Sequence, residues 1–263
     1  MGKRSNLTKS LKNDRRKRRK QVEEKKKVEQ REKHIAAITP LEKTHFLCDH
    51  QGPVYRFFKE EDEEYADAFS RGQLYISTLG NCRAYEDDEQ GDKKEAYETY
   101  SNHNLVGNGS DADFVEKAQR SNIGISQGSM FTTINATRTR YIPDAYVLCT
   151  STDFSPENMS EAIGNGHCVE IRNPRKFFNI VSRKINSISA IRDAGMGKIK
   201  YTDRSYAGLD QQPGPIGFVK PKFPYEKQKE FRFLWIMENM DKLEPILIDC
   251  PEVRKLCKRI ASR

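Results

Sequence analysis

Glu230-Phe231-Arg232-Phe233-Leu234-Trp235-Ile236-Met237 is the stretch whose reading decides the fold. It reads as a strand, aromatic from Phe231 to Trp235, with a carboxylate at its head. Glu230 and Arg232 lie two apart, so they share a face of that strand. Outward from it, Pro245 to Ile248 gives another strand and Glu252 to Ile260 a terminal helix. Upstream, Lys198–Tyr201 and Asn179–Ser187 alternate like edge strands, and a short helix opens at Pro174. His167–Ile171 and Ala145–Thr150 are apolar strand candidates, and regularity also marks Ser129–Ile134. Between Ser101 and Gly128 glycine and asparagine are frequent, which predicts a long, mobile connection.

The first half adds a strand over Val54–Phe58, then a helix over Glu60–Ser70 with Tyr65, Ala66 and Phe69 on one face. Gly72 stops that helix, and a strand over Leu74–Ser77 follows. Many short strands with helices at intervals, and no regular βαβ alternation, predict an α+β fold. The pairing is expected to be mostly antiparallel, in a split sheet with peripheral helices. No Walker loop and no Gly-x-Gly-x-x-Gly follows a strand, so phosphate binding by those routes is unsupported.

Charge divides the chain in two. Of 46 Lys+Arg and 38 Asp+Glu, 15 and 5 fall in Met1–Ile35, leaving 31 and 33 elsewhere. The sequence therefore reads as a basic arm over residues 1–40, disordered or helical, and one α+β domain over 41–263. Runs such as Arg15 to Lys20 repel one another and offer little apolar surface. Phosphate contact fits them, with nucleic acid or a nucleic-acid-associated protein as the expected partner. A localisation signal or a protein-docking tail would look the same. The start is charged with no apolar signal core, and no stretch approaches a membrane span. A cytoplasmic protein with no membrane partner is expected.

Six cysteines (48, 82, 149, 168, 250 and 257) lack any Cys-x-x-Cys pairing, which predicts reduced, mostly buried thiols. His45, Cys48 and His50 lie close together but lack a fourth ligand, so no metal site is expected. The acidic residues Glu86, Asp87, Asp92 and Glu95 could instead bind Mg²⁺ for phosphodiester cleavage. A charged solvated loop is the simpler reading of that stretch.

Three separated fragments carry the remaining chemistry. Arg56 stands between Tyr55 and Phe57 on a strand, pointing to the face opposite both. It is either a surface arginine or a guanidinium suited to clamp a diphosphate or ribose. Thr150, Ser151 and Thr152 follow a buried strand, where hydroxyls cap turns or admit a flat ligand to the backbone. Gln228 and Glu230 lead into the aromatic strand, where Glu230 and Arg232 could be no more than a compensating ion pair.

An arginine on a first strand, a serine on a middle one and Gln-x-Glu on a late one resemble the Arg-Ser-Glu class of mono-ADP-ribosyltransferases. The matching positions are Arg56, Ser151 within Thr150-Ser151-Thr152, and Gln228-x-Glu230. The resemblance implies NAD as cofactor, contacted by Tyr55, Arg56 and the hydroxyl segment. It implies Glu230 as the residue that stabilises the ribose as nicotinamide leaves, and Gln228 facing the acceptor. ADP-ribosyl transfer or NAD hydrolysis is thus expected, possibly on a nucleic-acid-associated target. No aromatic residue immediately precedes the middle motif, a departure from the family pattern. The segments Gln73–Ser77, Arg83–Glu95 and Pro224–Arg232 also resemble an uncharacterised bacterial and phage family with a C-terminal Glu-x-Glu-aromatic-Arg run. A metal-dependent nuclease and a non-enzymatic nucleic-acid- or protein-binding adaptor are the other classes the sequence permits.

The charge division predicts that deleting residues 1–35 weakens nucleic-acid binding and flattens its dependence on salt. Salt titrations of full-length and truncated protein check this; identical slopes would remove the arm from the interface.

Overall fold

The computed structural model describes residues 46–47, 50–85, 91–154, 166–239 and 243–260. The arm expected over residues 1–40 lies outside them, as do His45, Cys48, Glu86 and Asp87. The strands are β1 (Phe46–Leu47), β2 (Val54–Phe58), β3 (Gln73–Thr78), β4 (Tyr97–Asn108), β5 (Met130–Tyr141), β6 (Tyr146–Ser151) and β7 (His167–Ile171). They continue with β8 (Ile191–Lys198), β9 (Lys200–Tyr201), β10 (Ser205–Ala207), β11 (Val219–Lys220), β12 (Glu230–Met237), β13 (Ile246–Asp249) and β14 (Cys257–Ile260). Among the described residues four α-helices intervene: α1 (Glu63–Arg71), α2 (Leu79–Ala84), α3 (Ala112–Arg120) and α4 (Pro174–Ile188).

The fold is α+β with mostly antiparallel pairing. The main sheet runs β1-β8-β12-β6-β2-β7-β14, with β3 and β13 branching from β6. Among its described strands only β1 against β8 is parallel. One edge of β6 is shared: Tyr146 and Val147 pair with β3, and Ser151 alone pairs with β2. The sheet therefore splits along β6. A separate sheet β10-β4-β5 and the small pair β11-β9 lie outside it.

Alternation along β12 explains the core. Phe231, Phe233, Trp235 and Met237 point to one face, where they join Phe177, Phe178, Val181 and Ile185 of α4 and Phe69 of α1. Their rings form a chain of contacts, Phe177 to Phe233 at 5.4 Å and Phe178 to Trp235 at 5.7 Å. Offset and tilted rings at such spacings contribute about 0.5–1.5 kcal/mol per pair beyond burial. Trp235 Nε1 donates to Ser182 Oγ at 2.7 Å, so the one tryptophan meets its polar requirement inside the core. On the other face Leu234 packs with Leu79, Val147, Ile142 and Phe218, beside Arg232.

Three sequence expectations are corrected. Asn179–Ser187 is not an edge strand but part of α4, whose apolar residues 177, 178, 181 and 185 recur at helical spacing. Asn173 caps that helix through Lys176 N, and Pro174 takes its first turn. The chain from Ser101 to Gly128 is not a structureless connection. It holds most of β4 and all of α3, which buries Phe114 and Ala118 against Leu105. The C-terminal segment is not a helix: a short 3-10 turn over Pro251–Lys255 leads into β14, whose Lys258 and Arg259 pair with Glu170 and Val169.

Gly72 shows how closely the elements fit. It ends α1 at φ 98°, its N–H bonding Ala68 and Phe69 carbonyls. A Cβ there would lie 2.4 Å from the Cys250 carbonyl oxygen, and Cys250 N donates to Gly72 O at 2.8 Å. Gly72→Ala is therefore expected to lower unfolding stability by about 1–3 kcal/mol, read as a lower urea midpoint with unchanged m. A neutral substitution would mean that the α1–β13 junction relaxes freely.

Candidate functional site

Ser151 ends β6 with a strand on each side. Its register partner on β2 is Tyr55, and on β12 it is Glu230. In-register partners on antiparallel strands project to the same face, so Tyr55, Ser151 and Glu230 form a row across three strands. Arg56, one residue on, projects to the opposite face with Val54 and Phe58. The strands of the Arg-Ser-Glu resemblance are thus neighbours, while Arg56 and Glu230 stand on opposite sides of them.

Arg56 acts where the sheet splits. Its Nη1 donates to the Cys149 carbonyl at 2.8 Å, bridging β2 and β6, which pair only through Tyr55 and Ser151. Its guanidinium also lies 5.5 Å from the centre of the Phe58 ring. On the other face Tyr55 and Phe57 flank Phe154, with ring centres at 5.3 and 6.2 Å.

The three hydroxyls fasten β6 to the approach to β12. Thr150 Oγ1 donates to Phe231 O at 2.7 Å, Ser151 Oγ to Gln228 O at 2.9 Å and Thr152 Oγ1 to Lys229 O at 3.1 Å. Gln228 closes a 3-10 turn over Tyr225–Gln228, and Lys229 follows with φ 45°. That left-handed conformation is uncommon for a residue with a side chain, and it turns the chain so that Glu230 enters the sheet facing inward.

Glu230 belongs to a buried cluster of four charges. Its Oε1 accepts from Arg232 Nε at 2.8 Å, and Lys220 Nζ lies 2.8 Å from Oε2. Arg232 has no exposed surface and makes a forked pair with Glu95, Nη1 to Oε1 at 2.8 Å and Nη2 to Oε2 at 3.2 Å. Nη1 also donates to Gly217 O at 2.6 Å, and Nη2 reaches Glu230 Oε1 at 2.8 Å. Nε, both Nη1 bonds and one Nη2 bond thus direct four guanidinium N–H groups at acceptors. Lys220 reaches Glu95 Oε2 at 3.5 Å and lies over the Tyr225 ring. The backbone N–H of Glu230 donates to the Tyr201 hydroxyl at 2.8 Å.

Burial by itself would raise the Glu230 pKa, but Arg232 and Lys220 outweigh it and hold the carboxyl well below the ordinary range. Burial likewise opposes charge on Lys220, yet Glu230 and Glu95 push its pKa up. Burial pushes the Tyr201 hydroxyl up to about 12. Glu230, Lys220 and Arg232 are each shifted toward their charged forms by these neighbours. Oε2 of Glu230 is in direct ionic contact with Lys220, so both carboxylate oxygens face a cation. Left-handed backbone also adjoins the other carboxylate, at Ala96 with φ 58° next to Glu95.

The acidic segment has other duties. Asp92 makes a forked pair with Arg204, through Nη1 to Oδ1 at 3.1 Å and Nη2 to Oδ2, and Glu95 is held by Arg232. Among the described residues no cluster of three or more His, Cys, Asp or Glu could hold a metal ion. His50 contacts Pro53 O at 3.3 Å and packs against Phe231. Sequence reasoning placed Ser151, Gln228 and Glu230 near one another but missed Lys220 and Tyr201. Neither carries a local signal, because each reaches Glu230 through the fold. Two segments of the second resemblance do meet, Glu95 of one bonding Arg232 of the other. No family model, no curated protein and no solved structure matches the chain.

Removing one member of such a cluster strands its partners. Arg232→Met is expected to cost about 3–5 kcal/mol, because two buried carboxylates then share Lys220. Adding Glu95→Gln leaves the neutral Glu230–Lys220 pair and should recover part of that loss, a coupling of about 1–3 kcal/mol. Urea denaturation of the double-mutant cycle checks it; additive losses would dissolve the cluster as a unit. A carboxyl held low when folded contributes stability that is present above its unfolded pKa and lost as pH falls through the folded one. Stability should therefore decline on acidification below about pH 4.5, and less steeply in Glu230→Gln.

Proposed function

We propose that the chain cleaves NAD, transferring ADP-ribose to an acceptor or to water, with Glu230 as the central residue. The observation that carries this reading is the row Tyr55–Ser151–Glu230 across three adjacent strands. The residue types resembling the Arg-Ser-Glu transferases are far apart in sequence and lie on neighbouring strands. NAD supplies the ribose–nicotinamide bond and its leaving group. Glu230 is suited to accept a hydrogen bond from the ribose hydroxyl and to oppose the positive charge that builds on the sugar as that bond breaks. A fixed carboxylate in a dry site favours that charge more in the transition state than in the ground state.

Ser151 serves by positioning: its hydroxyl holds the Gln228 carbonyl and so sets the turn that aims Glu230. Gln228 stands two residues before Glu230, on the approach the acceptor would share. Tyr55 and Phe154 offer aromatic surface on the same face. Arg56, on the opposite face, is assigned the strand bridge at Cys149 instead of a phosphate contact. Reaching Glu230, which is 4% exposed, requires Lys220 to swing aside.

A second reading has its own support. The four charges compensate one another completely, which suits a structural cluster in a non-enzymatic adaptor whose basic arm contacts nucleic acid. Nicotinamide release separates the two. Wild-type protein should release nicotinamide from NAD, Glu230→Gln should lose nearly all of that activity, and Tyr55→Phe should keep most of it. Circular dichroism verifies the fold of each variant. Absence of release by wild-type protein, with nucleic-acid and protein acceptors supplied, would sink the enzyme reading and leave the adaptor.

A further inference from the structure

The small sheet β10-β4-β5 ends on an open edge. β4 has β10 along one side and β5 along the other, whereas β5 pairs with β4 alone. That pairing runs from Tyr97 opposite Tyr141 to Asn108 opposite Met130. β5 is 12 residues long, about twice the usual strand. In an antiparallel pair every second residue turns its N–H and C=O away from the partner strand. Among the described residues none bonds those outward groups of β5. A row of donors and acceptors open to a further strand therefore runs about 40 Å along the sheet.

Open edges are ordinarily blunted by charge, proline, bulges or short length, and β5 has none of these. It contains no proline, lysine or acidic residue. Its two charges are turned back onto their own sheet and helix. Arg140 Nε donates to Oε1 of the buried Glu98 at 2.6 Å, and Arg138 Nη1 donates to Arg120 O at 3.4 Å. The register with β4 is the same on both sides of the left-handed Asn104, with His103 opposite Asn135 and Leu105 opposite Thr133. That irregularity lies on the inner strand and leaves the edge without a bulge. Thr132, Thr133, Ile134, Thr137 and Thr139 are β-branched, which favours extended backbone. The main sheet is finished differently: its end strand β14 has four residues, two of them Lys258 and Arg259.

The edge is complementary to itself. A second β5 laid antiparallel offers a donor for each acceptor and an acceptor for each donor. Centred on Asn135 or Ala136, that arrangement sets Arg138 and Arg140 of each copy opposite residues 130 to 134 of the other, none of them charged. Parallel pairing in register would set arginine against arginine, which is destabilising. We infer that β5 is the interface between two copies of this chain. They join antiparallel, edge to edge, so that two three-stranded sheets become one of six. A contact of this kind is isologous, the same patch meeting itself across a two-fold axis, and it closes at the dimer. The inference uses no residue of the Glu230 row and is independent of the NAD reading.

The full chain is examined by light scattering and sedimentation across micromolar concentrations. A particle of twice the 30.4 kDa chain mass is expected, dissociating on dilution. Thr137→Lys puts a charge on an exposed position beside the two-fold axis and should weaken association about tenfold or more. Circular dichroism verifies that this variant keeps its fold. Asn135→Cys, treated with a short bismaleimide and digested for mass spectrometry, should give a peptide pair joined between copies through the two introduced thiols. The wild-type mass needs no variant at all. A monomer at every concentration, a dimer that Thr137→Lys leaves equally tight, or a dimer without the cross-link at position 135 would each overturn the assignment.

Discussion

A guanidinium with no exposure to water, in the middle of a sheet, constrains everything around it. Desolvating an ion costs several kcal/mol even after relaxation, and only close, well-directed partners repay it. Arg232 recruits Glu230 from its own strand, Glu95 from the residues before β4 and the Gly217 carbonyl from the loop before β11. The second carboxylate then needs a second cation, which Lys220 supplies. One side chain therefore fixes the relative placement of three segments that share no helix or strand. The left-handed residues beside both carboxylates, Ala96 and Lys229, are part of that arrangement. Each costs roughly 1 kcal/mol or more, a strain the cluster must overcome by holding its carboxylates in position.

The split along β6 is the second constraint, and it is resolved from both faces. Where β2 and β6 pair only once, Arg56 spans them to the Cys149 carbonyl from one side. On the other edge of β6, three consecutive hydroxyls bind three carbonyls of the β12 approach. The end of β6 is consequently over-determined, although it lies at a sheet opening. Rigid placement at an opening is what a site needs for orienting a ligand. It also suits a domain that must keep a divided sheet from slipping in register.

Strands were legible wherever burial follows period two or a short apolar run, as in Val54–Phe58, His167–Ile171 and Glu230–Met237. The misread elements had mixed signals. Asn179–Ser187 alternates within its own window, and only Phe177 and Phe178 upstream reveal the helical period. Asn104, Gly107 and Asn108 look like loop residues, yet β4 carries them to its end, because the pairing with β5 and the packing of Phe114 override local propensity. At the site, the sequence could supply Ser151, Glu230 and the pairing of Glu230 with Arg232, but not the Lys220 and Glu95 that complete the cluster. Arg232 and Glu95 are 137 residues apart, and no periodicity links them. The face of Arg56 was legible, since alternation sets it opposite Tyr55, but that face mattered only once Tyr55 was found in register with Ser151.

The cluster's internal balance bears on what it can do. Two carboxylates and two cations sum to zero, so Glu230 can oppose a developing positive charge only when one cation withdraws. Arg232 cannot be that cation, because four hydrogen bonds hold it and its departure would expose two buried carboxylates to each other. Lys220 has fewer partners. It reaches Glu230 Oε2 at 2.8 Å and Glu95 at 3.5 Å, and sits on the two-residue strand β11. Its ammonium already lies over the Tyr225 ring, which supports it beside the two carboxylates. The two cations thus differ in how they are held: Arg232 donates to Glu230, Glu95 and the Gly217 carbonyl, whereas Lys220 is shared between the two carboxylates and the Tyr225 ring.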